Sequence, residues 1–142
     1  HAHAAIRDSV ASRGLGDVYK RQILNGGDVE GHRIISRKTL DLMSSNHLVN
    51  GGDLRSCAYG RWSETSYTGV GFGLGFSVLL DPAASQVSGS AGELAWGGAA
   101  STAFWIDPLE DLAVVFLTQL LPSSQFNVRR ELLSLVYSAI SD

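Results

Sequence analysis

Gly92-Glu93-Leu94-Ala95-Trp96-Gly97-Gly98-Ala99-Ala100-Ser101-Thr102-Ala103-Phe104-Trp105-Ile106-Asp107-Pro108-Leu109-Glu110-Asp111-Leu112-Ala113-Val114-Val115-Phe116-Leu117-Thr118-Gln119 carries more structural information than any other part of this chain. Glu93 to Trp96, Ser101 to Ile106 and Leu112 to Thr118 are short, rich in β-formers, and separated by turn residues. That pattern predicts an antiparallel meander with short connections. Asp107-Pro108-Leu109-Glu110-Asp111 is a strong turn signal. Gly97 and Gly98 follow a large aromatic at a strand edge, where the missing Cβ lets another group approach the backbone.

Outward from the meander, Gly69 to Leu80 alternates Gly with Val70, Phe72, Leu74 and Phe76 and predicts one further strand, ended by Asp81-Pro82. Its glycines do not form Gly-x-Gly-x-x-Gly and no helix follows, so a dinucleotide site is excluded. Ile23-Leu24 reads as a helix end closed by Asn25-Gly26-Gly27. Asp28 to Ile35 reads as a short β excursion turning at Glu30-Gly31. Ser36 is placed to cap a helix over Arg37 to Ser45, with Leu40, Met43 and His47 along one side and Asn46 at its end. Val49 to Thr68 is a polar, turn-rich loop with scattered Tyr59, Trp62 and Tyr67. A last helix is predicted from Pro122-Ser123-Ser124, capped by Ser123 or Ser124. Its apolar face would be Leu132, Leu135, Val136, Ala139 and Ile140, beside a row Phe126, Arg130, Leu133, Tyr137. The expected class is α+β, an antiparallel meander flanked by helices.

Composition excludes several functions. With 142 residues, 44% hydrophobic and 18% charged, the chain suits one globular domain. A net charge of −3 with scattered basic residues gives no footprint for nucleic acid. Apolar runs such as Leu112 to Leu117 are too short to span a bilayer. Cys57 stands alone, which rules out an intrachain disulfide, and it reads as a small, half-buried loop residue. His1 and His3 lack a nearby carboxylate or Cys partner, so no metal or other cofactor is expected.

Residues 1–22 read differently from the rest. Asp17-Val18-Tyr19-Lys20-Arg21-Gln22 is what a common sequencing-library transposon end encodes in one frame, and Ile6-Arg7-Asp8-Ser9 resembles the same DNA in another. This segment is expected to be a translated adapter joined to a truncated bacterial, metagenomic gene, and is set aside from the fold. A genuine amphipathic lead-in is the alternative.

Trp96-Gly97-Gly98-Ala99 resembles the third active-site motif of the serine β-lactamase, penicillin-binding protein and class-C-like carboxylesterase fold, Lys-Thr-Gly or a variant. Gly71-Phe72-Gly73-Leu74-Gly75-Phe76, Phe104-Trp105-Ile106-Asp107-Pro108, Leu24-Asn25-Gly26-Gly27 and Leu40-Asp41-Leu42-Met43 ahead of Asn46-His47-Leu48 are similar to the same family's pattern. The resemblance thus covers Ile23 to Asp142. It implies that Trp96 takes the Lys place, Gly97 the Thr place and Gly98 the Gly place, with Ala99 offering a backbone N–H to the oxyanion. Trp-Gly-Gly is the variant typical of the esterases, and losing the Lys removes a cation that would greet a β-lactam carboxylate.

The other two motifs of that fold, Ser-x-x-Lys and Tyr-x-Asn, are absent. The lysines are Lys20 and Lys38, preceded at three residues by Asp17 and Ile35. The tyrosines are followed at two residues by Arg21, Arg61, Gly69 and Ala139. Ser44-Ser45-Asn46, Lys38-Thr39-Leu40 and Ser88-Gly89-Ser90-Ala91-Gly92 are near misses without the required context. His32 and His47 lack a positioned nucleophile to serve. The resemblance therefore implies the C-terminal part of a serine hydrolase whose parent takes a small ester or amide, the part itself being inactive. Lacking the parent's remaining strands and helical domain, it is expected to expose sheet surface and self-associate. A β-lactamase or D-Ala-D-Ala peptidase parent, a small non-catalytic α+β binding module, and an independent small hydrolase remain as alternatives.

Overall fold

Short β-forming runs separated by turn residues produce the sheet that organises everything else. The computed structural model describes residues 15–58, 67–123 and 125–141. The chain opens with helix α1 (Leu15–Leu24), followed by a two-stranded hairpin, β1 (Asp28–Val29) and β2 (His32–Arg33). Helix α2 (Arg37–Met43) and a 3₁₀ turn (Val49–Gly51) come next. The main sheet consists of β3 (Val70–Phe72), β4 (Ser77–Leu79), β5 (Leu94–Gly97), β6 (Ala103–Asp107) and β7 (Leu112–Phe116). A one-turn helix α3 (Pro82–Ser85) lies between β4 and β5, and the last helix is α4 (Val128–Ser138). All neighbours in the order β3-β4-β5-β6-β7 are antiparallel, so the fold is the α+β meander expected.

Alternation sorts the strands into two faces. Val78, Leu94 and Ile106 on one face join Phe76, Ile23 of α1 and Leu40 of α2 in the buried core, with Tyr19, Leu24, Met43 and Phe104 packed around them. Ala95, Gly97, Ala103, Trp105 and Asp107 alternate onto the other face, where α4 lies. The order is α1 and α2, sheet, α4; α1 and α2 bury Ile23 and Leu40 in the core, whereas no residue of α4 is fully buried. Leu15–Leu24 forms α1, whose Tyr19 packs against the core and whose Ile23, four residues on, lies in it. Residues 1–14, with His1, His3 and Ile6 to Ser9, lie outside the described residues.

Local predictions hold where a backbone requirement was explicit. Gly26 and Gly27 adopt positive φ after α1, and the hairpin turns through Glu30 and Gly31 at φ 51° and 82°. Ser36 caps α2 by accepting from the Thr39 N–H.

Four details differ from the expectation. Gly69 to Leu80 is not one strand but the hairpin β3–β4. Gly75 turns it at φ 105°, and a Cβ on Gly73 would stand 2.1 Å from the Met43 carbonyl oxygen. Helix α2 stops at Met43, and Asn46 instead ties the loop to β3: its Oδ1 accepts from Leu48 and Phe72 N–H and its Nδ2 donates to Gly52 O. Helix α4 begins at Val128, after Asn127 rather than Ser123; Ser124 lies outside the described residues. Its half-buried side is Val128, Arg129, Arg130, Leu132, Leu133, Val136 and Tyr137, so Leu132 and Val136 of the expected face pack while Leu135, Ala139 and Ile140 are exposed. Polar residues anchor α4: Arg129 to the turn after β5, Arg130 to Ser85 O and Gln86 O at the end of α3, and Tyr137 to Glu93 and Asp107, which an apolar count passes over. Finally, Cys57 is exposed rather than half-buried. Tyr59 and Trp62 lie outside the described residues.

Candidate functional site

Strand β5 is the centre of the site because its two halves have different neighbours. Val78 and Ser77 of β4 pair with Leu94 and Ala95, and there the β4 ladder ends. Trp96 and Gly97 pair only with Phe104 and Ala103 of β6. Gly98 N–H donates to Thr102 O, so Gly98 faces β6, and the alternation of an antiparallel ladder turns the Gly97 N–H and C=O to the open edge. The chain then reverses through Gly98-Ala99-Ala100-Ser101, closed by the Ser101 N–H to Gly98 O bond with Ser101 at φ 64°. Ala99 is exposed at the first corner of this turn, and its N–H has no hydrogen-bond partner among the described residues.

Both glycines have close neighbours. A Cβ on Gly97 would stand 2.6 Å from Arg129 Cζ and 2.6 Å from Thr102 O, and one on Gly98 would stand 2.6 Å from Thr102 Oγ1. The group that approaches Gly97 is therefore the guanidinium of Arg129 from α4. Arg129 Nη2 donates to Gly98 O at 2.6 Å and to Thr102 O at 3.0 Å, bridging the two arms of the turn, while its buried Nε has no partner. Ser101 fastens the turn from the other side, its Oγ donating to Leu120 O. Trp96 is half-buried and stands edge-on to Phe72, ring centroids 4.9 Å apart.

Two hollows flank β5. One, about 250 Å³, lies on the α1 side against Trp96, Gly97 and Gly98, with Lys20 Nζ 5.0 Å over the Phe104 ring at its wall. The other, about 340 Å³, lies under α4 between Leu79, Ala95, Trp105 and Leu133, with the buried Trp105 Nε1 unpartnered. Three serines line the hollow under α4: Ser77 Oγ donates to Ala95 O and Ser85 Oγ to Pro82 O, and Ser123 lies at its rim before α4. His47 is tied to Leu42 O, and His32 is an exposed hairpin residue. No activated nucleophile is assembled from these groups.

Beyond the N-terminal end of β5 lies a buried acid cluster that the sequence reading did not single out. Tyr137 Oη lies 2.6 Å from Glu93 Oε2 and 2.6 Å from Asp107 Oδ2, and both carboxylates are buried. A phenol has one hydrogen to give, so two carboxylates at that distance require one further proton in the cluster. Asp107 Oδ1 accepts the Leu109 and Glu110 N–H groups of the β6–β7 turn. Glu93 is the carboxyl that holds the proton: burial, and after it the nearby Asp107 charge, push it up to about 7 against the lowering effect of the Tyr137 bond. The Tyr137 hydroxyl is raised as well, first by burial and then by its bonds to Asp107 and Glu93. The available signals were Glu93 inside an apolar strand and Tyr137 and Arg129 on the helix row.

No protein-family profile matches the chain. Protein Rv1367c of Mycobacterium tuberculosis is 33% identical over 107 residues, which are 73% of this chain and 26% of that protein. An uncharacterized protein from a second strain of that organism matches to the same extent. Among solved structures, EstCE1, a hydrolase with promiscuous acyltransferase activity, is 26% identical with a TM-score of 0.59 over 84% of this chain and 27% of its own. Simvastatin synthase LovD from Aspergillus terreus is 20% identical with a TM-score of 0.64 over 87% of this chain and 32% of its own. The chain has part of the β-lactamase-like fold of these hydrolases and acyltransferases. It spans about a quarter of the length of the curated relatives it matches.

Proposed function

We propose that the chain is the C-terminal portion of a β-lactamase-related serine hydrolase, the whole protein acting on short-chain carboxylic esters through an acyl-enzyme. In this reading Trp96, Gly97 and Gly98 form the strand wall that faces the nucleophile, and the Ala99 N–H donates to the oxyanion. The observation that carries it is the open edge of β5, unpaired with β4 beyond Ala95 and ending in the exposed, unpartnered N–H of Ala99. The likeness to EstCE1 supports acyl transfer as the reaction class. Trp96 in the Lys place leaves this strand without a cation of its own, which favours esters of neutral acids over β-lactams.

The nucleophile and base belong to residues outside this sequence, because Ser-x-x-Lys and Tyr-x-Asn do not occur in it. The chain by itself is expected to turn over neither short-chain p-nitrophenyl esters nor a chromogenic cephalosporin. The gene upstream of Ile23 is expected to encode both missing motifs. Turnover by the purified chain, or an upstream frame lacking Ser-x-x-Lys, would overturn the proposal.

A second reading rests on a different observation. Arg129 and Thr102 already fill the space beside Gly97 and Gly98, so the glycine pair has an internal reason to exist. In that reading the open edge of β5 pairs with a strand of a partner protein, as in β-augmentation. An upstream frame without the catalytic motifs would favour it.

A further inference from the structure

We propose that Arg129 is the positioning residue for the Ala99 N–H, orienting that peptide group and strengthening it as a donor from the side away from the substrate. The inference rests on the role given to Ala99 above. Gly98 C=O and Ala99 N–H are the two ends of one planar peptide unit, joined by resonance. A cation bonded to the oxygen draws density from the nitrogen, and the N–H becomes a better donor. Arg129 Nη2 makes that bond at 2.6 Å, and the Ser101 N–H adds a second donor to the same oxygen at 3.1 Å. The bond from Arg129 Nη2 to Thr102 O, at 3.0 Å, fixes the guanidinium across both arms of the turn.

The sequence is arranged around this contact. Gly97 has no Cβ where the guanidinium sits, and any other residue there would displace it. Arg129 Nε is buried without a partner, so the head group is held by its two carbonyls rather than by a carboxylate. A carboxylate would neutralise the charge; two carbonyls leave it available to polarise the turn. Both bonds leave from Nη2, so a Lys ammonium in that place supplies charge and donors but not the flat guanidinium packed against Gly97.

The test needs no catalysis, so it stands or falls separately from the ester reading. The full chain, labelled with ¹⁵N and ¹³C, is compared as wild type, Arg129→Met and Arg129→Lys. Polarisation predicts that Arg129→Met moves the Gly98 carbonyl carbon and the Ala99 amide proton upfield. It also predicts that base-catalysed exchange of the exposed Ala99 amide slows several-fold, because the amide becomes less acidic. Arg129→Lys should restore part of each change. A purely structural role predicts the opposite for exchange, unchanged or faster as the turn loosens, and that result would overturn the proposal. Unmoved Gly98 and Ala99 resonances in Arg129→Met would overturn it as well. Unchanged resonances of Leu94 and Ile106 in the core establish that the variant is folded; should Arg129→Met not fold, the comparison of wild type with Arg129→Lys carries the same readouts.

Discussion

Replacing Glu93 with Gln removes one titratable proton from beneath α4 while keeping the shape and the hydrogen bond to Tyr137. The neutral Glu93 carboxyl and a Gln amide can each donate to Tyr137 Oη, leaving the phenol hydrogen for Asp107. The magnitude follows from the carboxyl's rise from 4.5 to about 7. At roughly 1.4 kcal/mol per pH unit, that difference is worth about 3 kcal/mol. The sign is set by which state holds the proton. Below about pH 4.5 folded and unfolded chains both keep it, and the stability of the neutral cluster is fully present. As pH rises toward 7 the unfolded chain releases the proton first, and stability falls by roughly 1.4 kcal/mol per unit. Above about pH 7 Glu93 ionises in the folded chain too, beside Asp107, and the loss is complete.

Glu93→Gln has no such titration. The variant and the wild type should therefore be equally stable near pH 4, and the variant more stable by about 3 kcal/mol near pH 8. The assay is urea unfolding followed by tryptophan fluorescence at half-unit pH steps, read as midpoints at constant slope. Arg129 and Arg130, the other charged groups on the packed side of α4, are bonded to backbone carbonyls. Parallel pH curves for the two proteins would refute the proton count, and a variant less stable at pH 8 would refute the assignment of the proton to Glu93.

Three further outcomes are expected. Gly97→Ala drives a methyl into Arg129 Cζ and Thr102 O, and should cost about 1–3 kcal/mol by overpacking, with the Gly98 and Ala99 amide resonances among the most displaced. Asn46→Ala strips partners from Leu48 N–H, Phe72 N–H and Gly52 O, and should lower stability by about 2 kcal/mol in urea unfolding, whereas removal of an exposed residue such as Glu110 should not. Leu117 is 78% exposed just beyond the unpaired outer edge of β7, and Val115 beside it is 37% exposed. Light scattering should therefore show concentration-dependent association that Leu117→Lys reduces, and an unchanged mass profile would remove this face as the cause.

How far the sequence could be read depended on what each residue was constrained by. The meander was legible because Leu94 to Trp96, Ala103 to Ile106 and Leu112 to Phe116 are short apolar, β-prone runs bounded by turn residues. Asn25-Gly26-Gly27 and Glu30-Gly31 were legible for the same reason, since a positive φ leaves few residue choices. The β3–β4 hairpin was not, because Gly73, Leu74 and Gly75 continue the Gly-apolar alternation straight through the turn. What breaks the strand there is the Met43 carbonyl packed on Gly73, a contact from thirty residues away. The buried face of α4 was misread because Arg129, Arg130 and Tyr137 count as polar until their partners are known. Tyr137 meets Glu93 and Asp107 across 44 and 30 residues, a juxtaposition that no local spacing encodes.

Trp96, Gly97, Gly98 and Ala99 were visible as a motif, but what holds them was not, and the holding is where α4 enters. Arg129 and Tyr137 are eight residues apart on the helix, about 12 Å at the α-helical rise. Glu93, just before β5, and Gly97 at its end are four apart, about 13 Å at the strand rise. The two lengths match, so α4 runs against β5 with Arg129 over the Gly97–Gly98 end and Tyr137 over the Glu93 end. Each pin is polar, and between them Leu133 lies over the hollow under the helix. Such a helix cannot slide by a turn without unseating a guanidinium from a glycine and a phenol from two carboxyls. Register, rather than apolar area, is what the polar contacts supply here, and the turn that presents the Ala99 N–H inherits its position from that register.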